Sequence, residues 1–154
     1  MRLSLRPATR DDSSAILRWR NHPTARRVSF QDARIGRAEH NVWLEEKLKN
    51  PNCHLYVIQS GNRKLGQIRL DGVGANRAFV SIVVDSKARR HGVGSEALRQ
   101  LHLKCGRNLR FWRLQAHIKP NNSASLILFL KVGYKLRGTI KKKGISACVL
   151  EKII

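Results

Sequence analysis

Residues 88 to 98, A-R-R-H-G-V-G-S-E-A-L, place three basic or titratable side chains directly before two spaced glycines, where a helical pattern begins. Backbone amides at the start of a helix lack partners within it and carry partial positive charge. Glycine also lets an anion approach the backbone closely. The segment therefore predicts a phosphate or pyrophosphate site at residues 89–95, although a basic turn that happens to contain glycines has the same pattern.

Better-known phosphate motifs and metal sites are excluded by other residues. The third glycine of a dinucleotide fingerprint does not follow Gly92 and Gly94, and the Gly-Lys-Ser/Thr of a P-loop is missing. Cys53, Cys105 and Cys148 are odd in number and widely spaced. They indicate reduced thiols of a cytoplasmic protein, with neither a disulfide framework nor a metal site.

The elements that position this segment follow from the apolar periodicity. Strands are predicted at 2–6, 54–60, 64–71, 78–84, 111–118, 134–140 and 145–152, and helices at 9–19, 38–49, 92–105 and 122–131. The polar and basic residues 24–37 are predicted to form a loop, and Lys141–Lys143 the tip of a hairpin. The order β-α-α-β-β-β-α-β-α-β-β predicts one α/β domain over residues 1–154.

Two spaced motifs resemble the GNAT superfamily of N-acetyltransferases. Residues 89–94, R-R-H-G-V-G, are similar to its acyl-CoA loop, Q/R-x-x-G-x-G/A, which follows the fourth strand. Residues 122–134 are similar to its N-x-x-S/A-x-x-L-Y/F-x-K-x-G-F/Y motif. The resemblance covers essentially the whole chain and implies a mixed, mostly antiparallel sheet flanked by helices. Within the single domain it implies acceptor-binding helices and a loop at 1–50, an acetyl-CoA-binding core at 54–131 and C-terminal strands at 134–154.

The resemblance implies that acetyl-CoA is the co-substrate and lies beside the fourth strand. Main-chain groups of that strand would pair with the pantetheine, loop amides would bind the pyrophosphate, and Asn122 would reach the pantetheine. The acceptor amine would attack the thioester directly, without an acyl-enzyme. The implied cofactor-binding residues are Ile82, Val83, Val84, Arg89, Arg90, His91, Gly92, Val93, Gly94, Ser95, Asn122, Ser125 and Phe129.

Two positions depart from the family pattern. Several members carry a glutamate base five residues before the motif asparagine, where this chain has His117. Histidine suits proton removal because its ordinary pKa of about 6.5 lies near working pH, but a packing or substrate-contact role fits equally. Many members protonate the leaving thiolate with a tyrosine where this chain has Phe129. The thiolate then leaves unprotonated, or water or another group assists, and Tyr134 is expected to be structural.

The first two helices build the acceptor site in this family. Their pattern W-R-N … R … H-x-x-W resembles a subgroup that acetylates amino-sugar nucleotides on the pathway to pseudaminic acid, using a 4-amino sugar linked to UDP. Arginine binds phosphate bidentately and aromatic faces stack on a base or sugar. Core packing of the tryptophans and a solvated Arg20 are the alternatives. The implied substrate-binding residues are Trp19, Arg20, Asn21, Arg26, His40 and Trp43.

The chain carries 31 Lys and Arg against 10 Asp and Glu, a formal net charge of +21. Such a surface attracts anions: nucleic acid, the ribosome, anionic lipid or phosphorylated metabolites. Three functions are therefore weighed. The first is N-acetylation of a small-molecule amine, an amino-sugar nucleotide. The second is acetylation of protein N-termini or ribosomal proteins, and the third is a basic nucleic-acid-binding module without activity.

The sequence also indicates where the protein is located, but it does not determine the oligomeric state. No apolar run approaches the roughly 20 residues of a membrane span, and the N-terminal residues lack the apolar core of a secretion signal. We therefore expect a cytoplasmic protein without a membrane span. The oligomeric state is left open, a dimer included.

Overall fold

Seven strands form one sheet in the order β1-β2-β3-β4-β5-β7-β6 in the computed structural model, which describes residues 2–154. All neighbouring strands are antiparallel except β4 and β5. The mixed, mostly antiparallel α/β fold is thereby confirmed. The strands are β1 Ser4–Pro7, β2 Cys53–Ser60, β3 Arg63–Val73, β4 Arg77–Val84, β5 Arg113–Ile118, β6 Lys135–Lys142 and β7 Ile145–Ile153.

Five α-helices cover the two faces of this sheet. They are α1 Ser13–Asn21, α2 Pro23–Val28, α3 Arg37–Lys49, α4 Val93–Lys104 and α5 Ser123–Lys131. Short 3₁₀ turns precede α1 and α4, and a π-helical turn follows α4. Within residues 2–154, no helix is both long and apolar enough to cross a membrane.

Two predicted elements differ from the structure. Residues 24–37 are not all loop, because α2 begins at Pro23, with the His22 ring accepting a hydrogen bond from the Thr24 amide. Proline at the first helical position favours a helix start, but α2 has no buried residue and therefore no apolar period. The basic run is also not all hairpin tip, since β6 extends through Lys142. The turn residues are Lys143 and Gly144, both at positive φ.

Side chains alternate between two cores, one on each face of the sheet. Leu70 and Leu114 of the sheet pack with Leu98 of α4 in the larger core, which α4 and α5 cover. Ile16 of α1 and Leu44 of α3 form the smaller core on the opposite face. The two faces therefore have different partners, and only the second is covered by the amino-terminal helices.

Asp12 ties α1 to the edge of the sheet. Its carboxylate is 1% exposed and accepts hydrogen bonds from the Thr9 amide and from Arg6, each at 2.8 Å. Lys64 of β3 pairs with the same carboxylate at 2.8 Å. Burial alone would raise the pKa of Asp12, but the bonds from Arg6, Lys64 and Thr9 hold it below its ordinary value. The predicted Thr9–Asp12 capping box is present.

Asp12→Ala should lower the free energy of unfolding by about 2–4 kcal/mol, because the partly buried side chains of Arg6 and Lys64 and the Thr9 amide lose their shared buried acceptor. Urea denaturation measures the loss. The depressed pKa stabilises the fold above the unfolded value of about 3.9, so the difference from wild type should shrink as pH falls below about 4. Asp11→Ala changes an exposed neighbour and should stay within about 0.5 kcal/mol of wild type. Equal effects of the two changes would refute this role.

Candidate functional site

The parallel strands β4 and β5 part after a short contact. Their pairing runs from Arg77–Arg113 to Phe79–Gln115 and then stops. Beyond that point β4 continues to Val84 and pairs only with β3. Alternate backbone groups of residues 80–84 therefore face the opening between the two strands. Such groups need hydrogen-bond partners, which an extended ligand can supply as an added strand does.

The loop between β4 and α4 has the backbone geometry of an anion site. Arg90 and Gly92 have positive φ angles of 65° and 75°. The first helical hydrogen bond runs from the Glu96 amide to the Gly92 carbonyl, at 3.1 Å. Within residues 2–154, the backbone amides of 89–95 donate to no backbone carbonyl. A Cβ atom at Gly92 would meet nothing within 4 Å. The loop therefore offers free donors and room for a pyrophosphate.

The side chains of this loop anchor it, face solvent or pack in the interior. Arg89 donates to the Thr24 hydroxyl at 2.7 Å and to the Val84 carbonyl at 3.3 Å, so it joins the loop to α2. Arg90 and His91 are exposed, whereas Val93 and Ser95 are buried. Any anion held here would therefore be bound mainly by backbone amides.

The second motif supports the same loop from α5. A Cβ at Gly94 would lie 2.9 Å from the Leu128 side chain, so glycine permits close packing of α4 on α5. Asn122 caps α5, with its Oδ1 accepting from the Ser125 amide at 3.2 Å. The Nδ2 group of Asn122 remains as a donor at the start of α5. Ser125 contributes its amide to this cap.

His117 lies on β5 just beyond the last β4–β5 pair. Its ring centroid is 4.8 Å from that of Phe79. Its Nδ1 atom is buried and, among residues 2–154, has no hydrogen-bond partner. Burial lowers the pKa of His117, and the charges of Lys142 and Arg77 lower it further. The imidazole is therefore neutral at neutral pH, with a lone pair able to accept a proton.

Phe129 and Tyr134 belong to the larger core. Phe129 and Tyr134 are each 2% exposed, and their rings meet edge to face at 4.8 Å. The Tyr134 hydroxyl bonds the His102 ring at 2.9 Å. Burial lowers the pKa of His102 to about 4 and raises that of Tyr134 above its ordinary value. These contacts give Tyr134 a packing role, as its sequence position indicates.

Three of the residues implied to bind the acceptor hold the amino-terminal segment together. Trp19 is 3% exposed and donates from its indole to Asp85 at the end of β4, at 2.9 Å. The Asn21 side chain exchanges two hydrogen bonds with the Ile35 backbone, both at 2.8 Å. Arg26 donates to a backbone carbonyl six residues further on. In this structure these side chains fix helices and loop against the sheet.

The other three gather around one indole ring. His40 is fully buried and stacks on Trp43 at 5.6 Å, and within residues 2–154 neither of its ring nitrogens is hydrogen-bonded. The Arg20 guanidinium lies over the Trp43 ring, 4.8 Å from its centroid. Trp43 is only partly buried against the smaller core. Arg20 and Trp43 therefore remain in place for an acceptor, whereas His40 supports Trp43.

The structure adds residues that the sequence did not single out. Arg69 of β3 lies over the same Trp43 ring at 5.3 Å, donates to Asp71 at 2.7 Å and faces Ser81 of β4. Lys142 comes from the far hairpin, and its charge acts on Arg69, Asp71 and His117. The sequence R-L-D at 69–71 could have indicated that Arg69 and Asp71 lie side by side, since strand residues two apart share a face. Within residues 2–154, no group of three or more His, Cys, Asp or Glu side chains is placed to hold a metal ion.

Comparison with known proteins decides the family. The sequence model described as acetyltransferase (GNAT) domain matches residues 2–135. The chain belongs to this family. The predicted superfamily is confirmed, together with the enzyme class and the acetyl-CoA co-substrate that belong to it, so the chain is a member of the GNAT N-acetyltransferases.

The relatives are distant and differ in acceptor. The L-amino acid N-acetyltransferase AaaT of Escherichia coli (strain K12) is 26% identical over 106 residues, which are 66% of this chain and 65% of that protein. The match thus spans slightly less than two thirds of that relative's length. Its name does not describe an amino-sugar nucleotide as the acceptor.

Solved structures of low identity share the fold. AAC(6')-Ib in complex with ribostamycin and coenzyme A has a TM-score of 0.86 at 15% identity, and spermidine N-acetyltransferase from Vibrio cholerae with CoA and spermine has 0.85 at 15%. RimL, a ribosomal L7/L12 alpha-N-protein acetyltransferase in complex with coenzyme A, has 0.86 at 16%. Each comparison covers 99% of this chain and 94% of the other. At these identities the likeness shows the fold alone.

Gly92→Asp should weaken acetyl-CoA binding by more than about tenfold, because a carboxylate would occupy the predicted anion site. Calorimetry with coenzyme A measures the change. Gly74→Asp is the matched control, because Gly74 also has positive φ, at 73°, and open space, but lies in the β3–β4 turn. Similar affinities for coenzyme A in the two variants would exclude the loop as the pyrophosphate site.

Proposed function

We propose that the enzyme acetylates the primary amine of an amino-sugar nucleotide of the UDP-4-amino-sugar type. The observation that carries this proposal is the position of His117. Its neutral ring lies beside the opening between β4 and β5, on a surface shared with Phe79 and approached by the charge of Lys142. A thioester in the opening and an amine on that surface would meet at the imidazole.

Acetyl-CoA would be bound by groups already on this chain. The pantetheine would extend along β4, pairing with main-chain groups of Ile82, Val83 and Val84. The pyrophosphate would accept hydrogen bonds from the free amides of residues 89–95, and Asn122 would donate from its Nδ2. The sharp turn through Arg90 and Gly92 supports this arrangement because it leaves those amides free.

The reaction would proceed by direct attack. The amine nitrogen forms a bond to the thioester carbonyl carbon while His117 takes its proton. The oxyanion of the tetrahedral intermediate is stabilised by backbone N–H groups facing the opening. Collapse of the intermediate breaks the carbon–sulfur bond and releases the coenzyme A thiolate. Phe129 has no proton to give, so the thiolate leaves as an anion or is protonated by water or another group.

The acceptor assignment rests on the surface around Trp43. Arg20 and Trp43 present a guanidinium and an indole to the same space, 4.8 Å apart. The Arg20 guanidinium, held over the Trp43 ring, can bind the phosphates of a sugar nucleotide or stack on its planar base. His40 stacks on Trp43, and Trp19, Asn21 and Arg26 hold the amino-terminal helices and loop in place. Together they make a nucleotide-linked sugar a chemically matched acceptor.

Acetylation of a protein N-terminus is the second candidate. It is favoured by the exposed Ser81, which leaves the sheet between Arg69 and the opening accessible from outside. An extended peptide end has room to reach a site of this kind. The acetyltransferase family, confirmed for this chain, leaves a nucleic-acid-binding module without activity unsupported.

The test is an acetyl-transfer assay with a UDP-linked 4-amino sugar and a peptide amine, over pH 6–10, using wild type and His117→Ala. Wild type should prefer the sugar nucleotide. The variant should lose turnover near neutral pH and recover in part at high pH, where the amine loses its proton unaided.

His54→Ala is the control, because His54 is also a strand histidine whose pKa is lowered by burial. It should leave the pH profile unchanged. Preference for the peptide would favour the second candidate, and a His117→Ala profile parallel to wild type would remove the imidazole from proton transfer.

A further inference from the structure

The face of the sheet under α1 and α3 carries an excess of positive charge around Trp43. Two guanidinium groups, from Arg20 and Arg69, lie 4.8 and 5.3 Å from the centroid of this one ring. They come from different elements, α1 and β3, so local sequence does not force them together. Burial and the charge of Arg69 lower the pKa of Arg20, and the charge of Glu39 opposes them only in part. This mutual repulsion is a cost that a bound anion would offset.

A third cation reaches the same region from the end of β6. The Lys142 ammonium lies 5.0 Å from the Phe30 ring centroid, where the loop after α2 approaches the hairpin. Desolvation and the charges of Lys143 and Arg69 lower the pKa of Lys142, and Asp71 opposes them. The charge of Lys142 therefore influences both Arg69 and His117.

Two carboxylates on this face are already engaged. Asp71 pairs with Lys47 at 2.9 Å and with Arg69 at 2.7 Å. Glu151 is 5% exposed and pairs with Arg113 at 3.1 Å. Among the ion pairs of residues 2–154, Arg20 and Lys142 have no carboxylate partner. Glu39 also acts on Arg20, but it is one negative charge against the three cations, so the net charge available to a ligand in this region is positive.

We propose that Arg20, Arg69 and Lys142 form an anion-binding subsite that holds a diphosphate group of the acceptor. The rings of Trp43 and Phe30 hold these three cations, with Arg20 and Arg69 over Trp43 and Lys142 over Phe30. The inference rests on the proposed function and adds two residues, Arg69 and Lys142, from opposite sides of the surface. Guanidinium forks and an ammonium are the donors that bind phosphate oxygens with charge-assisted hydrogen bonds.

The subsite also selects acceptors by the sign of their charge. A polycationic amine, such as an aminoglycoside or a polyamine, would meet three like charges and find Asp71 and Glu151 already paired. Like-charge contact in a partly desolvated site disfavours binding. The enzyme therefore rejects polycationic amines and accepts amines that carry phosphate.

The test titrates inorganic pyrophosphate into the full-length protein by calorimetry, with and without saturating coenzyme A. Coenzyme A fills the α4 loop, so pyrophosphate that still binds reports the subsite. Arg69→Gln and Lys142→Gln should each weaken this binding at least about tenfold. Arg107→Gln removes an exposed charge on the π-helical turn and is the control with unchanged affinity. Circular dichroism checks that Arg69→Gln is folded, and Lys142→Gln does not touch the Asp71 pair.

The outcomes separate the two proposals. Absence of pyrophosphate binding to the coenzyme A complex, or binding that neither variant weakens, overturns the subsite while leaving acetyl transfer intact. Failure of coenzyme A to bind overturns the proposed function. In that case the subsite is still supported if the free wild-type protein binds pyrophosphate and both variants lose this binding. Acetylation of spermidine or kanamycin in preference to a UDP-linked amino sugar overturns the charge selectivity.

Discussion

The parting of β4 from β5 is the constraint on which the site depends. Parallel strands that pair for only three residues and then diverge must leave backbone groups without partners inside the sheet. On the β3 side, β4 stays fully paired, and Gly66 allows close approach because a Cβ there would clash with the Val83 carbonyl. The opening is thus one-sided: β3 pairs with β4 along its whole length, and the free edge of β4 is the proposed binding edge.

Side-chain bonds hold the end of β4 in place from the amino-terminal helices. Trp19 of α1 donates to Asp85, and the Asp85 carboxylate also accepts from the Lys87 amide, at 2.9 Å in each case. Arg89 then joins the loop to Thr24 of α2. The proposed anion loop and the proposed acceptor surface are therefore connected by side-chain bonds. Substitutions in α1 or α2 should affect both co-substrates.

Much of the fold was predictable because its signals are local. The glycines and the helix start at 92–95 are adjacent in sequence, and the Asn122 cap depends on contacts three residues apart. α2 was missed because it has a start signal but no buried face. The subsite around Trp43 was only half predictable. Arg20 and Trp43 belong to a sequence pattern. Arg69 reaches Trp43 only because β3 packs against α1, and Lys142 reaches Phe30 only because the β6–β7 hairpin approaches the loop after α2.

Amide hydrogen exchange with and without acetyl-CoA tests the binding edge most directly. If the free edge of β4 and the α4 loop hold the co-substrate, acetyl-CoA should slow exchange at residues 82–84 and 89–95 and leave the exposed edge strand β6 unchanged. If acetyl-CoA leaves exchange at those amides unchanged and slows it elsewhere in the protein, the opening between β4 and β5 is not the binding site.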